Sequence, residues 1–241
     1  MTEPDHWFEP IADHLGSAYL RYSFTKGTRQ EVDAVVEWLG LAPGMRVLDV
    51  GCGPGRHVLE LASRGITTHG IDISRTFVDI ARSNAVVNAT FERMDARHMT
   101  FDAEFDAVIC LCQGAFGLMT ANGNDLDVLR GIRRALKPGG RLALSAFSSY
   151  FAVKYHGAAS FDADSGVSHE VTEVKDESGR ATEVDLWTGC YTPRELRMLM
   201  DKVDMTVDHI YSVEPGAYLP ASPTVESPEY LLIASATPFR R

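Results

Sequence analysis

Three acids, a run of glycines and a histidine are the residues of this chain whose types and spacing could do chemistry. Positions 47–57 read Val-Leu-Asp-Val-Gly-Cys-Gly-Pro-Gly-Arg-His, and the next apolar stretch ends on Asp72. A glycine-rich turn at the end of one parallel strand brings backbone N–H groups close to a ligand's polar tail. An acid ending the neighbouring strand accepts from both hydroxyls of a ribose. The pairing predicts a pocket for an adenosine-containing cofactor. A dinucleotide fingerprint needs G-x-G-x-x-G, whose third glycine lets helix and strand pack closely. Here the third glycine comes one residue early, as Gly51-x-Gly53-x-Gly55, and Arg56 fills the expected slot. The helix start behind the turn can hold a carboxylate as readily as a pyrophosphate. Arg56 could fork onto such a carboxylate or face solvent, and His57 is either a general base or a buried structural histidine.

Asp49-x-Gly51-x-Gly53-x-Gly55 resembles motif I of the class I S-adenosylmethionine (SAM)-dependent methyltransferases, and further motifs follow in the same order. Gly70-Ile71-Asp72-Ile73-Ser74 is similar to the second, Met94-Asp95-Ala96 to the third, and Phe105-Asp106-Ala107-Val108-Ile109-Cys110 to the fourth strand. Leu136-Lys137-Pro138-Gly139-Gly140-Arg141-Leu142 resembles the turn into the fifth. The resemblance covers 28–147 closely and 191–203 more loosely. It implies SAM as cofactor, with S-adenosylhomocysteine as product. Gly51, Cys52, Gly53 and Gly55 would form the turn at the methionine tail, oriented by Asp49. Asp72, followed by Ile73, would take the ribose diol, and Asp95 with the Ala96 backbone would read the adenine. Leu111 would meet the methionine ammonium through its carbonyl, with Gln113 beside it. The implied fold is α/β: a doubly wound, mostly parallel seven-stranded sheet of the Rossmann-like methyltransferase type, with a β-hairpin cap inserted.

Methyl transfer is an in-line displacement in which the acceptor's lone pair attacks opposite sulfur, and alignment supplies much of the acceleration. A base is needed only where the acceptor must first lose a proton. The residues weighed for that role are His57, Tyr22, His156 and His169; none is singled out. Gln113, Phe116 and Phe147 are candidate acceptor walls, with Tyr19 and Tyr22 folding over from the N-terminal segment. Segment 148–190, which also carries Tyr155, Glu170, Glu173, Asp185 and Trp187, reads as an acidic cap choosing an amine-bearing or polar acceptor, or as a solvated hairpin. Nucleobase amino-methyltransferases carry Asn/Asp-Pro-Pro-Tyr/Phe after the fourth strand. This chain has Leu111-Cys112-Gln113-Gly114 there, which points to a small-molecule acceptor, methylated on O or N. The rival readings are a non-catalytic SAM-binding regulator and an NAD-linked oxidoreductase. Arg56 in the third glycine's slot and the acid at position 95 count against the latter.

The elements that must position these residues follow from periodicity and caps. Thr28-Arg29-Gln30-Glu31 reads as a capping box before Val32, Val35, Val36 and Leu39 at helical spacing. Strands are predicted at about 46–50, 68–71, 105–111 and 141–147. Helices are predicted from 55 to 64, from Ser74 as cap, over 126–136, and after the capping box Thr192-Pro193-Arg194-Glu195. A hairpin is predicted from 167–174 and 182–187 around 176–180. Two last strands, 206–213 and 230–235, flank a proline-rich loop. One domain over 1–241 is expected, divided into an N-terminal cover (1–27), a SAM-binding core (28–147), a cap (148–190) and a C-terminal helix and strands (191–241).

Bulk properties bound the rest. The 241 residues are 45% hydrophobic and 23% charged, with a formal net charge of −10. An acidic chain is a poor match for nucleic acid, whose binders draw affinity from phosphate neutralisation. Cys52, Cys110, Cys112 and Cys190 form no C-x-x-C pair, so no metal site is expected. Cys110 and Cys112 lie two apart on a predicted strand and should share one face. With no apolar run of membrane-spanning length, no membrane partner and a cytoplasmic residence are expected.

Overall fold

The computed structural model describes residues 6–118, 125–155, 157 and 159–237. The chain opens with α1 (Glu9–Leu15) and two short 3-10 turns (Gly16–Arg21 and Ser23–Thr25), followed by α2 (Thr28–Leu39). Strands and helices then alternate: β1 (Arg46–Val50), α3 (Arg56–Ser63), β2 (Thr67–Asp72), α4 (Arg75–Ser83), β3 (Ala89–Arg93), β4 (Phe105–Cys110), α5 (Asp125–Ala135) and β5 (Leu136–Ser148). Next come α6 (Ser149–Tyr155), β6 (Ser160–Asp162), β7 (Val167–Lys175), β8 (Ala181–Tyr191) and α7 (Pro193–Lys202). The described chain closes with β9 (Met205–Glu214), β10 (Ala217–Ala221) and β11 (Glu229–Ala236).

The main sheet has the order β10-β9-β11-β5-β4-β1-β2-β3. β1 to β5 run parallel, whereas β11 is antiparallel to both β5 and β9. The apolar runs of β1 and β4 are buried because alternate side chains feed two layers. Leu48, Val50, Val108 and Cys110 pack with Val128, Leu129 and Ile132 of α5 and Leu196 and Met200 of α7. Val47, Ala107 and Ile109 pack on the other face with Val32 and Val35 of α2 and Leu61 of α3. Helices therefore cover both faces, and the carboxyl ends of the parallel strands are left to build a site.

Several expectations need correction. The main path of the sheet has eight strands rather than seven among the described residues, because β10 forms inside the proline-rich loop, and β8 joins β6 and β7 to it through β5. β10 is an edge strand, paired only with β9, and an edge tolerates Pro220. β5 begins at Leu136, taking Pro138-Gly139-Gly140 as an irregularity rather than a stop, and its register with β4 shifts between Phe105 and Ala107. Segment 148–190 contains a short helix, α6, none of whose residues is buried, so it leaves no apolar stripe to read. Cys110 and Cys112 do not share a face. Cys110 packs on the α5 layer, while Cys112 lies past the strand end at φ +52 and packs against the α2 layer. The capping box at Thr28 is also absent: Gly27 is the cap, and no side chain caps that end.

The other caps form as expected. The Ser74 hydroxyl accepts from Phe77 N at 3.2 Å. The hairpin forms with Val174 opposite Thr182, and β8 ends parallel to β5, with Cys190 opposite Phe147, so the cap is stitched to the carboxyl end of a central strand, beyond the end of β4. Among the described residues no helix is long and apolar enough to cross a membrane.

At the start of α7 the capping box is complete: the Thr192 hydroxyl accepts from Glu195 N at 3.2 Å, and the Glu195 carboxylate accepts from Thr192 N at 2.7 Å. Thr192→Ala is expected to lower unfolding stability by about 1 kcal/mol. Urea denaturation should show a lower midpoint at an unchanged m-value.

Candidate active site

At the carboxyl edge of the sheet the loop after β1 meets the loop after β4. A Cβ on Gly51 would stand 1.9 Å from the Gly114 carbonyl carbon, and one on Gly114 would stand 2.5 Å from the Val50 oxygen. Only two facing glycines allow that approach, and Gly51 also adopts φ +75. Cys112 and Gln113, just before Gly114, both sit in the left-handed region at φ +52 and +55. Two successive non-glycine residues there store strain of about 1–3 kcal/mol each. The turn they make opens beside a cavity of about 460 Å³ whose wall includes Gly51, Cys52, Gly53, Asp72, Leu111 and Gln113. That volume lies inside the range of about 300–1,000 Å³ typical of small-ligand sites.

Asp72 ties the β1 and β2 loops together. One carboxylate oxygen accepts from Gly53 N and the other from Ser74 N, each at 2.8 Å. Burial pushes its carboxyl up to about 6 against those two bonds, yet each oxygen keeps a lone pair for a ligand hydroxyl. Asp49 is buried beneath the turn and does not reach the cavity wall; its Oδ2 has no hydrogen-bond partner among the described residues. Burial raises it to about 7, opposed by Arg56 and reinforced by Asp72. Gly55 stands at the helix start with the Phe91 ring behind it. The Gln113 Nε2 is buried without a partner, a donor beside the turn in want of an acceptor. Ile73, Asp95 and Ala96 line a narrower cleft of about 30 Å³ that shares Gly51 and Asp72 with the main cavity. Arg97 holds the Asp95 carboxylate in a fork with Nε at 2.9 Å and Nη2 at 2.6 Å.

Arg56 lies on the cavity wall with its side chain nearly buried. It pairs with Glu31, which is fully buried, and its Nη2 lies 2.9 Å from Cys112 Sγ. His57 Nε2 lies 2.9 Å from the same Glu31 carboxylate, whose other oxygen accepts from Gly216 N. With Glu31 ionised, His57 carries its proton on Nε2 and is held neutral by burial. Glu31, His57 and Cys112 place ligand-type atoms within 4.8 Å of one another. The guanidinium already sits among them as the compensating cation, so the cluster is an ion-pair hub. Glu31 escapes a sequence reading because it falls at capping-box spacing from Thr28.

The roof of the cavity is made by two segments that grip each other. Ser17 N donates to Glu177 Oε1 (2.9 Å), Arg21 to the Asp176 carbonyl (3.0 Å), His14 to the Arg180 carbonyl (3.2 Å), and Lys175 N to the Tyr22 hydroxyl (3.1 Å). Beneath these bonds Ile11, Ala12, Leu15, Phe77 and Val174 form one apolar cluster. Tyr19, Tyr22, Gln113 and Phe147 line the cavity, but Phe116 does not; it is buried and stacked on Tyr191. Strand alternation puts Glu170, Thr172 and Val174 on the cavity side of β7 and His169 on the other, where it stacks on Trp187 and bonds to Asp185 at 2.7 Å. His169 is therefore removed from the candidate bases. His156 lies outside the described residues. Glu229, unremarked in the sequence, lines the cavity from the start of β11.

Residues 47–140 match the family described as Methyltransferase domain. A ubiquinone biosynthesis O-methyltransferase of Alkalilimnicola ehrlichii is 30% identical over 122 residues, 48% of this chain and 47% of that protein. The chain spans about half the length, or less, of the curated relatives it matches. Two solved structures share the fold. The CcbJ methyltransferase from Streptomyces caelestis has a TM-score of 0.75 at 15% identity, covering 97% of each chain. The SAM-bound CalS10, an amino pentose methyltransferase from Micromonospora echinaspora, has a TM-score of 0.65 at 20% identity, covering 92% of this chain and 96% of that one.

The Glu31 hub sets a pH dependence. Burial alone would raise its pKa, but the His57 hydrogen bond and the Arg56 charge outweigh burial and bring it from 4.5 down to about 2. A carboxyl with a folded-state pKa below its unfolded value adds stability that is complete above the unfolded value and lost as the pH falls through the folded one. Glu31→Gln is expected to cost about 3–5 kcal/mol at neutral pH. Its deficit relative to wild type should shrink as the pH drops below 4.5. Urea denaturation of both proteins from pH 7 to pH 3 checks this; a deficit that stays constant would refute it.

Proposed function

We propose that this chain, which carries a class I SAM-dependent methyltransferase domain with SAM as its cofactor, moves a methyl group to an O or N atom of a small-molecule acceptor. The observation that carries this reading is the shared cavity: the glycine turn and Asp72 open into the same space as the aromatic and carboxylate wall beneath the roof. The residues fit the cofactor. Gly51 and Gly53 bring main chain to the cavity, Asp72 has lone pairs left for a ribose diol, and the buried Gln113 amide lacks an acceptor. Ile73, Asp95 and Ala96 flank the cleft that an adenine would approach. Arg56 is committed to Glu31, so the methionine carboxylate is met by main chain and Gln113 rather than by a guanidinium.

When bound, SAM supplies a methyl made electrophilic by a positively charged sulfur. The chain's own part is to align the acceptor. Ile11, Leu15 and Val174 give the roof an apolar underside, and Tyr22 and Phe147 form part of the acceptor wall. Holding the two reactants in line accounts for much of the acceleration in such displacements. Tyr22, its hydroxyl bonded to Lys175 N, and His57, bonded to Glu31, are poor bases in this arrangement. The volume suits a cofactor with a small acceptor, and the net charge of −10 opposes a polyanion. Of the three proteins named above, one is named for O-methylation and one for an amino pentose, and the fold serves both.

The activity is tested by incubating the protein with methyl-labelled SAM and a metabolite extract. A labelled small molecule is the expected result; binding of SAM with no label transferred across many extracts would favour a non-catalytic binder. Asp72→Ala should weaken SAM binding by about 1.5–3 kcal/mol, the range for hydrogen bonds to a charged group, read by calorimetric titration. Unchanged affinity would put the ribose elsewhere.

A further inference from the structure

The cavity wall beyond the glycine turn is acidic, and one of its acids is buried. Glu229 lies opposite Phe147 in the β11–β5 register. Directly paired residues of antiparallel strands point to the same face, and both side chains line the cavity. Glu229 is only 2% exposed, and its Oε1 has no hydrogen-bond partner among the described residues. Glu170 faces the same cavity from β7, while Glu173 borders it from the strand's other face, where it pairs with Lys175 at 3.4 Å. Arg56 is the one lysine or arginine on the described cavity wall, and Glu31 already holds it. The Ser145 hydroxyl beside the Glu229 carboxyl and the Arg56 charge both favour its ionised form. Even so, a buried carboxylate with one oxygen open and no cation of its own is costly unless something brought into the site satisfies it.

Resting on the methyltransferase reading, we propose that the acceptor is an amine, its nitrogen held by Glu229 and by the face of Phe147, with Glu170 adding to the negative field at the rim. An ammonium answers each part of this wall. It donates to the orphaned oxygen, its charge offsets the carboxylates, and an aromatic face attracts it. A carboxylate or phosphate acceptor would meet like charge there, and an alcohol would leave the excess charge unbalanced. Burial pushes the Glu229 carboxyl up to about 7, which matches it to proton exchange with an amine near neutral pH. In the reaction the ammonium gives one proton to Glu229. The freed nitrogen lone pair forms the N–C bond while the C–S bond breaks with its electron pair staying on sulfur. The product leaves as a methylated ammonium beside a neutral thioether, and Glu229 returns its proton to solvent.

The test uses the full chain saturated with S-adenosylhomocysteine and titrated with matched probes: 2-phenylethylamine against 2-phenylethanol, and butylamine against butanol. Each amine is expected to bind at least about tenfold more tightly than its alcohol, and Glu229→Gln to weaken amine binding by roughly 10- to 100-fold, as for loss of a charge-assisted bond. The variant should leave alcohol binding and S-adenosylhomocysteine affinity unchanged. Amines that bind no better than alcohols in the wild type, including the case in which neither binds, overturn the assignment without recourse to any variant. An amine preference that survives in Glu229→Gln removes Glu229 from it. Failure of the wild type to bind S-adenosylhomocysteine is a separate outcome, which overturns the methyltransferase reading itself.

Discussion

A carboxylate with no access to solvent must have its charge and its lone pairs met by the protein, and Glu31 is that carboxylate here. Arg56, His57 and the Gly216 amide all converge on it. Because its three partners come from the start of α3 and from the turn between β9 and β10, one side chain of α2 fixes two separate parts of the fold. The main chains of Gly27 and Gly216 also close together at this point, so tightly that a Cβ on Gly27 would lie 2.0 Å from the Gly216 Cα. The start of α3 in turn sets the path of Gly51 to Gly55. The position of the glycine turn thus depends on an interaction outside the motif that defines it.

The same economy of contact governs the site. The facing glycines at 51 and 114 bring two loops into van der Waals contact, and that packing holds the second loop against the cost of the left-handed residues Cys112 and Gln113. Asp72 bridges the first loop to the third through Gly53 and Ser74. Several acids are gathered in little volume, and they differ in how they are compensated. Glu31 is matched by a cation and stays ionised, whereas burial lifts Asp49, Asp72 and Glu229 toward neutrality. The carboxyls whose pKa is raised thus include the two on the cavity wall, Asp72 and Glu229, while the charge of Glu31 is neutralised behind it.

What the sequence made legible were the features whose signals are local. The glycine turn, Asp72 and the caps at Ser74 and Thr192 depend on residues a few positions apart, and the parallel strands β1 and β4 depend on short apolar runs. The hairpin was legible for the same reason, through alternation on either side of a turn of Asp, Ser and Gly. Long-range partners left no such trace. Gln30, beside Glu31, spends its amide on both main-chain groups of Tyr218, at 2.8 and 2.9 Å, which draws that segment into β10 despite its prolines. The capping-box pattern at Thr28 misled because the spacing is right but its acid is claimed by α3. The two cysteines misled because the strand ends between them. Glu229 reads as an ordinary polar strand start until Phe147 and the cavity are set beside it.

Each of the four bonds that clasp the N-terminal cover to the hairpin tip has a main-chain atom on at least one side. Main-chain donors and acceptors survive substitution, whereas the inward side chains of β7 take no part in the clasp. Such a roof can be refitted from within: drift at positions 170 and 172 would reshape the chamber while its latch stayed shut, giving a lineage new substrates on an old frame.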